Sequence, residues 1–172
     1  MQNIVLIGMP GCGKSTVGAK LAKNLHMQLI DTDRLIVEKT GKSLPQLLRE
    51  LGVESFLQLE GNIGEQLICN RCVIATGGSM VFSEAAMGNL RKDAVIVWLD
   101  TELPELEKRI RRNADRGIAA EPGTSLKEIN SLRRPLYEKY ADLRVQTAGG
   151  VGHVVQQLTD QLATFGFHTP QP

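Results

Sequence analysis

Aromatic residues are scarce in this chain: one Trp, two Tyr and four Phe among 172 residues. Cysteine is rarer still. Three of them, unevenly spaced, make no disulfide framework, which predicts a reducing, cytoplasmic setting. Neither sign of charge dominates, because twenty Lys and Arg face nineteen Asp and Glu for a net charge of +1. No nucleic-acid or membrane partner is expected from so even a balance. No apolar run approaches the roughly 18 residues of a membrane span. The start, MQNIVLIGMPGCGKST, lacks the basic opening and small-residue cleavage site of a signal peptide. What is present, 42% hydrophobic and 23% charged residues, suits a soluble globular chain. Its length predicts a single domain over residues 1–172.

Short apolar runs alternate with helical patterns. Asn3-Ile4-Val5-Leu6-Ile7 is a continuous apolar run closed by Gly8. Residues 14–25 read as a helix with Val17, Leu21 and Leu25 on one face. Gln28-Leu29-Ile30 is a second strand ending at Asp31. Residues 34–69 are mostly helical, broken near Gly41-Lys42-Ser43 and at Gly52. Val73-Ile74-Ala75-Thr76 and residues 94–99 are further strands, and 143–147 could be a fifth. Helices are predicted at 104–112, 126–140 and 151–165. Strands buried on both faces and alternating with helices predict an α/β fold with a parallel sheet. The stretch 113–125, with Gly117, Pro122 and Gly123, has little structural signal, and such loops usually serve as lids or stay disordered.

Gly8-Met9-Pro10-Gly11-Cys12-Gly13-Lys14-Ser15 fits G-x-x-x-x-G-K-[ST] between a predicted strand and helix. Glycines let backbone N–H groups turn inward around phosphate oxygens, and the helix N-terminus adds its dipole. Lys14 would reach the β- and γ-phosphates, and Ser15 would ligate Mg²⁺. The short chain has no N-K-x-D guanine-reading element, which points to a compact small-molecule or nucleotide kinase. Asp31-Thr32-Asp33 follows the second strand, where carboxyl ends of parallel strands face the ligand crevice. If the segment stays extended, both carboxylates point the same way. They could serve a metal ion and an acceptor hydroxyl, or Thr32 or Asp33 could simply cap the next helix.

GMPGCGKST, DTD after the second strand, ATGG after the third and Arg133-Arg134-Pro135-Leu136-Tyr137 together resemble the shikimate kinase family, in register over roughly residues 1–150. The resemblance implies a three-layer P-loop kinase fold with a five-stranded parallel sheet. It also implies an acceptor-binding helical insert near 32–60 and a lid near 110–125. The implied cofactors are ATP and Mg²⁺, and the implied reaction is γ-phosphoryl transfer to the 3-hydroxyl of shikimate. Gly11, Cys12, Gly13, Lys14, Ser15 and Thr16 would hold the phosphates, and Arg109 would lie near adenine. Ser15 and Asp31 would hold Mg²⁺. Asp33 would bind the acceptor hydroxyls, Gly77 and Gly78 would touch the acceptor through backbone, and Arg133 would hold its carboxylate. Lys14, Asp33 and Arg116, the last on the lid, form the expected catalytic set.

Three departures fall on the acceptor and lid side. Where the family reads Phe-Arg, this chain has Phe56-Leu57, which removes a second arginine from the carboxylate. That loss should cost roughly 1.5–3 kcal/mol of acceptor affinity. Glu60 matches the family's glutamate, without the arginine expected beside it. The glycine triplet reads Gly77-Gly78-Ser79, so Ser79 is expected either to crowd the acceptor or to donate a new hydrogen bond. The lid reads Arg116-Gly117-Ile118-Ala119 in place of arginine–proline–leucine–leucine. The expected acceptor is a small hydroxy acid, shikimate first, bound by a monomer. A kinase for a gluconate-like sugar acid is the alternative, and so is a nucleotide-binding regulatory module without transfer. Cys69-Asn70-Arg71-Cys72 has no second C-x-x-C to complete a zinc site and is expected to be a pair of core thiols.

Overall fold

Strands that are apolar at every position need cover on both faces, and here helices supply it. The computed structural model describes residues 2–112 and 117–169. Its strands are β1 (Asn3–Ile7), β2 (Gln28–Asp31), β3 (Cys72–Ala75), β4 (Ala94–Asp100) and β5 (Leu143–Gln146). They form one parallel sheet in the order β2-β3-β1-β4-β5. Every residue of β1, β3 and β4 is buried, while the edge strands β2 and β5 carry exposed residues.

The helices are α1 (Lys14–Asn24), α2 (Thr32–Thr40), α3 (Leu44–Gln66), α4 (Glu84–Arg91), α5 (Leu103–Arg112), α6 (Leu126–Tyr140) and α7 (Gly150–Ala163). Composition explains the boundaries. Gly41, at φ +67°, ends α2, and Ser43 and Gln46 close a capping box at the start of α3. Gly52 interrupts α3 at φ +76°, where the sequence predicts a break. Ser125 and Glu128 form a second capping box on α6. Helix α4 is not predicted by periodicity, since eight residues with Gly88 in their midst leave too short a pattern.

The main core joins the sheet to α1, α4, α6 and α7 and contains Trp98, whose ring lies 5.9 Å from that of Tyr137. A second, smaller core holds Ile36, Leu47, Phe56, Ile63 and Ala119. It ties the α2–α3 hairpin to the segment after residue 116, so both sit over the carboxyl ends of β1, β2 and β3. Among the described residues, no helix is long and apolar enough to cross a membrane.

Candidate active site

The loop between β1 and α1 turns through three glycines at positive φ: Gly8 at +143°, Gly11 at +85° and Gly13 at +104°. Gly8 has no alternative, because a Cβ there would meet the Leu99 carbonyl at 2.6 Å. Gly13 caps α1 without a side chain, and the first turn carries no acid. The N–H groups and positive dipole end of α1 therefore face the loop uncontested. Lys14 is buried and donates from Nζ to the carbonyls of Gly8 (2.7 Å) and Met9 (3.0 Å). Cys12 Sγ lies 3.6 Å from the same nitrogen.

Ser15, on the first turn of α1, donates its hydroxyl to Asp31 Oδ2 at 2.5 Å. Asp31 does not lie in line with Asp33 on an extended segment. The chain turns helical at Thr32, so Asp31 is the α2 N-cap, with Oδ1 accepting from the N–H groups of Asp33 and Arg34. Capping is thus done by Asp31, not by Thr32 or Asp33. The Asp31 carboxylate still faces Ser15 with its other oxygen. Two hard oxygen donors at the mouth of a phosphate loop fit a magnesium ion.

Thr32 is fully buried and accepts the Gly77 N–H at 2.9 Å, which locks the start of α2 to the turn after β3. A Cβ on Gly77 would collide with the Glu60 carboxylate and approach Asp33 Oδ1 to 2.8 Å. At Gly78 it would press on the Pro10 ring and on Arg133 Nη1. Neither glycine has positive φ, so close approach of neighbours is what requires them. Ser79 has φ −98°, an ordinary serine conformation, and its hydroxyl donates to Glu60 Oε2. Glu60, on α3, is buried, and burial pushes its carboxyl up to about 7. Asp33 adds to the rise, whereas the Ser79 hydroxyl, Arg133 and Lys14 oppose it.

Helix α6 brings Arg133 to the same place. Its guanidinium is buried, donates to the Ala119 carbonyl at 2.7 Å and lies 5.6 Å from the centre of the Phe82 ring. One turn on, Tyr137 donates to the Gly78 carbonyl at 2.7 Å, and burial raises its phenol so that it stays neutral. Arg134 points the other way. With Arg144 it brackets the Trp98 ring, and both donate to the Asp100 carboxylate. This buried carboxylate pins α6 to the end of β4.

One pocket therefore gathers Lys14, Ser15, Asp33, Gly78, Ser79 and Arg133, with Glu60, Phe56 and Ala119 completing its walls. A separate cleft of about 420 Å³ is lined by Gly11, Cys12, Gly13, Ser15, Thr16, Arg109, Arg112 and the Thr147–Gly150 turn. Arg109 enters it with Nη1 donating to the Gly11 and Cys12 carbonyls, while its Nε is held by Glu105. Leu57 lies outside the pocket. It is one residue round the helix from the inward-facing Phe56 and lines a shallow groove with Glu54, Gln58 and Phe82. Arg116 falls outside the described residues. Gly117 lies against Leu44 and Pro45, packed on the start of α3. Cys69 and Cys72 are free thiols, half-buried and buried as expected, and no cluster of metal-ligating side chains occurs among the described residues. Thr32 and the Ser79–Glu60 pairing carry no signal in the sequence, because each joins segments far apart in the chain.

Known proteins match this arrangement. The family model for shikimate kinase covers residues 10–163. A shikimate kinase of Synechococcus sp. (strain RCC307) is 38% identical over 165 residues, which is 93% of this chain and 84% of that protein. A solved structure of the shikimate kinase from Acinetobacter baumannii in complex with shikimate superposes with a TM-score of 0.88 at 28% identity, covering 96% of this chain and 94% of the other. Threonine synthase-like 1 of Macaca fascicularis is also 38% identical, over 151 residues that make up 87% of this chain. This chain spans only about a fifth of the length of that relative (20%). With the phosphate loop, Asp33, the glycine turn and the α6 arginine converging on one pocket, the chain belongs to the shikimate kinase family.

Proposed function

We propose that this chain transfers the γ-phosphoryl group of ATP to a hydroxyl of shikimate, in the presence of Mg²⁺. The observation that carries this reading is the single pocket in which Lys14 and Ser15 of the phosphate loop meet Asp33 and Arg133. The groups that would meet a phosphate and those that would meet a hydroxy acid face each other there across about 30 Å³ of open space, so the pocket must widen to take both. The chain acts as one kinase domain over 1–172, with residues 32–60 as the acceptor-binding insert and the 110–125 span as the lid.

Each residue then has a task. The loop N–H groups and the α1 dipole hold the phosphates, and Lys14 neutralises charge on the transferring group. Ser15 and Asp31 hold Mg²⁺, which when bound offsets charge on the phosphate oxygens. Thr16 and Arg109 border the nucleotide cleft. Arg133 takes the acceptor carboxylate, and the Gly78 backbone and Asp33 orient its hydroxyls; the expected part of Gly77 is not direct, because its N–H is held by Thr32 and it does not line the pocket. Asp33 accepts the hydroxyl proton while the acceptor oxygen bonds to phosphorus and the bond to the β-phosphate oxygen breaks, leaving ADP. Little covalent work falls to the protein; positioning and fixed charge supply the rate. The protein acts as a monomer on a small hydroxy acid, in the cytoplasm, without nucleic acid or membrane.

One feature favours a second acceptor of the same class. Among the described residues one arginine, Arg133, reaches the pocket, since Leu57 stands in the outer groove. A hydroxy monocarboxylate other than shikimate, such as a gluconate-like sugar acid, would meet the same groups. ADP release from Mg-ATP, with and without millimolar shikimate and beside gluconate, separates the two. Strong stimulation by shikimate is expected. Stimulation by gluconate alone would overturn the shikimate assignment.

A further inference from the structure

Glu60 presents a buried carboxyl to the same pocket as Arg133, the one arginine that lines it among the described residues. Its partner is the hydroxyl of Ser79, the residue that stands in place of the family's third glycine. The groups facing Glu60 are Ser79 ahead of the 3-10 turn Met80–Phe82, Asp33 on α2, Lys14 at the start of α1, and Arg133 and Tyr137 on α6. Tyr137 stays neutral. Lys14 and Arg133 are cations and Asp33 is an anion, so the Glu60 proton decides whether the pocket carries a surplus positive charge. Glu60 and Arg133 are buried here, and a weakly screened like charge opposes an arriving carboxylate strongly.

We propose that Glu60 and Ser79 set the affinity of this pocket for a carboxylate acceptor: neutral Glu60 admits a hydroxy monocarboxylate onto Arg133, and ionised Glu60 turns that anion away. The inference rests on the reading of this pocket as the acceptor site. Burial places the Glu60 carboxyl at about 7, so the change falls within the working range of pH. The Ser79 hydroxyl holds the ionised form and keeps the carboxyl from rising further. A serine fits this turn without strain, so its contribution is the hydrogen bond itself.

The test is the KM for shikimate at saturating Mg-ATP between pH 6 and 8.5, for the wild type, Glu60→Gln and Ser79→Gly. The wild-type KM rises about tenfold between pH 6 and 8, as a single deprotonation near 7 requires. Glu60→Gln flattens that rise, and Ser79→Gly moves it to higher pH. A structural role for the pair would change kcat and KM alike at every pH. A flat wild-type KM, or the same rise in Glu60→Gln, overturns the selector and leaves shikimate phosphorylation standing. Should Glu60→Gln fail to fold, a Ser79→Gly profile superimposed on that of the wild type overturns it equally. Absence of shikimate-dependent turnover at every pH overturns the acceptor reading, and the selector with it.

Discussion

Lys14 and Arg133 are both buried cations, and each donates to backbone carbonyl oxygens. Lys14→Ala removes the cation that faces the transferring phosphoryl group, and turnover should fall at least about a hundredfold. Unchanged turnover in an ADP-release assay would take the phosphate loop out of the mechanism. Arg133→Lys keeps the charge but loses the planar fork. Shikimate KM should then rise roughly tenfold or more, with a smaller change in kcat, because one ammonium cannot replace two parallel N–H donors. Much of this was legible before folding. The G-x-x-x-x-G-K-S run names the phosphate side on its own, since the spacing follows from how a backbone must turn around an anion. The acceptor side was legible only as a set of residue types. That Ser79 serves Glu60, or that Thr32 locks Gly77, depends on contacts between segments 19 and 45 residues apart. Local pattern carries no record of such meetings.

At the scale of elements, the strands announced themselves because parallel strands are apolar on both faces. β1, β3 and β4 lie within one residue of where the apolar runs place them. The aspartate pair after β2 shows what the pattern leaves open. An extended Asp31-Thr32-Asp33 and a helix start at Thr32 fit the same letters. The helix wins because Asp31 caps it and Thr32 is needed inside, bonded to the glycine turn. That turn has no slack on its inner side. Gly77→Ala should destabilise the fold or displace Glu60, because the new methyl collides with the Glu60 carboxylate and crowds Asp33. A cost of about 1–3 kcal/mol is expected from such overpacking, measured by urea unfolding. Full stability with unaltered acceptor KM would mean that the turn is not tightly clamped. Tyr137→Phe leaves the Gly78 carbonyl without its donor and should cost about 1–3 kcal/mol as well.

At the scale of the whole molecule, the sheet order β2-β3-β1-β4-β5 puts β1 at the centre, with its carboxyl end at the crevice. Everything that acts is delivered there, by the loop after β1, by the α2 and glycine turns, and by α6 crossing from the far side. Burying an acid at that crossing has a price in stability that depends on pH. Glu60 is neutral in both folded and unfolded chains well below 4.5. Between 4.5 and about 7 the folded chain keeps a proton that the unfolded chain has lost, so stability falls as pH rises and the full loss is present above 7. The loss is of the order of 3 kcal/mol. Glu60→Gln carries no such loss, so its stability relative to wild type should improve from pH 5 to pH 8 in denaturant titrations. A constant difference between the two proteins would place the Glu60 carboxyl in its ordinary range.

The central claim is that the phosphate loop and Arg133 serve one reaction in one pocket. The direct measurement is phosphorus NMR of an incubation of the protein with Mg-ATP and shikimate. A new phosphate monoester of shikimate is expected, formed in equal amount to ADP and lost in both Lys14→Ala and Arg133→Ala. ADP accompanied only by inorganic phosphate, or a monoester that Arg133→Ala forms as readily as wild type, would contradict it.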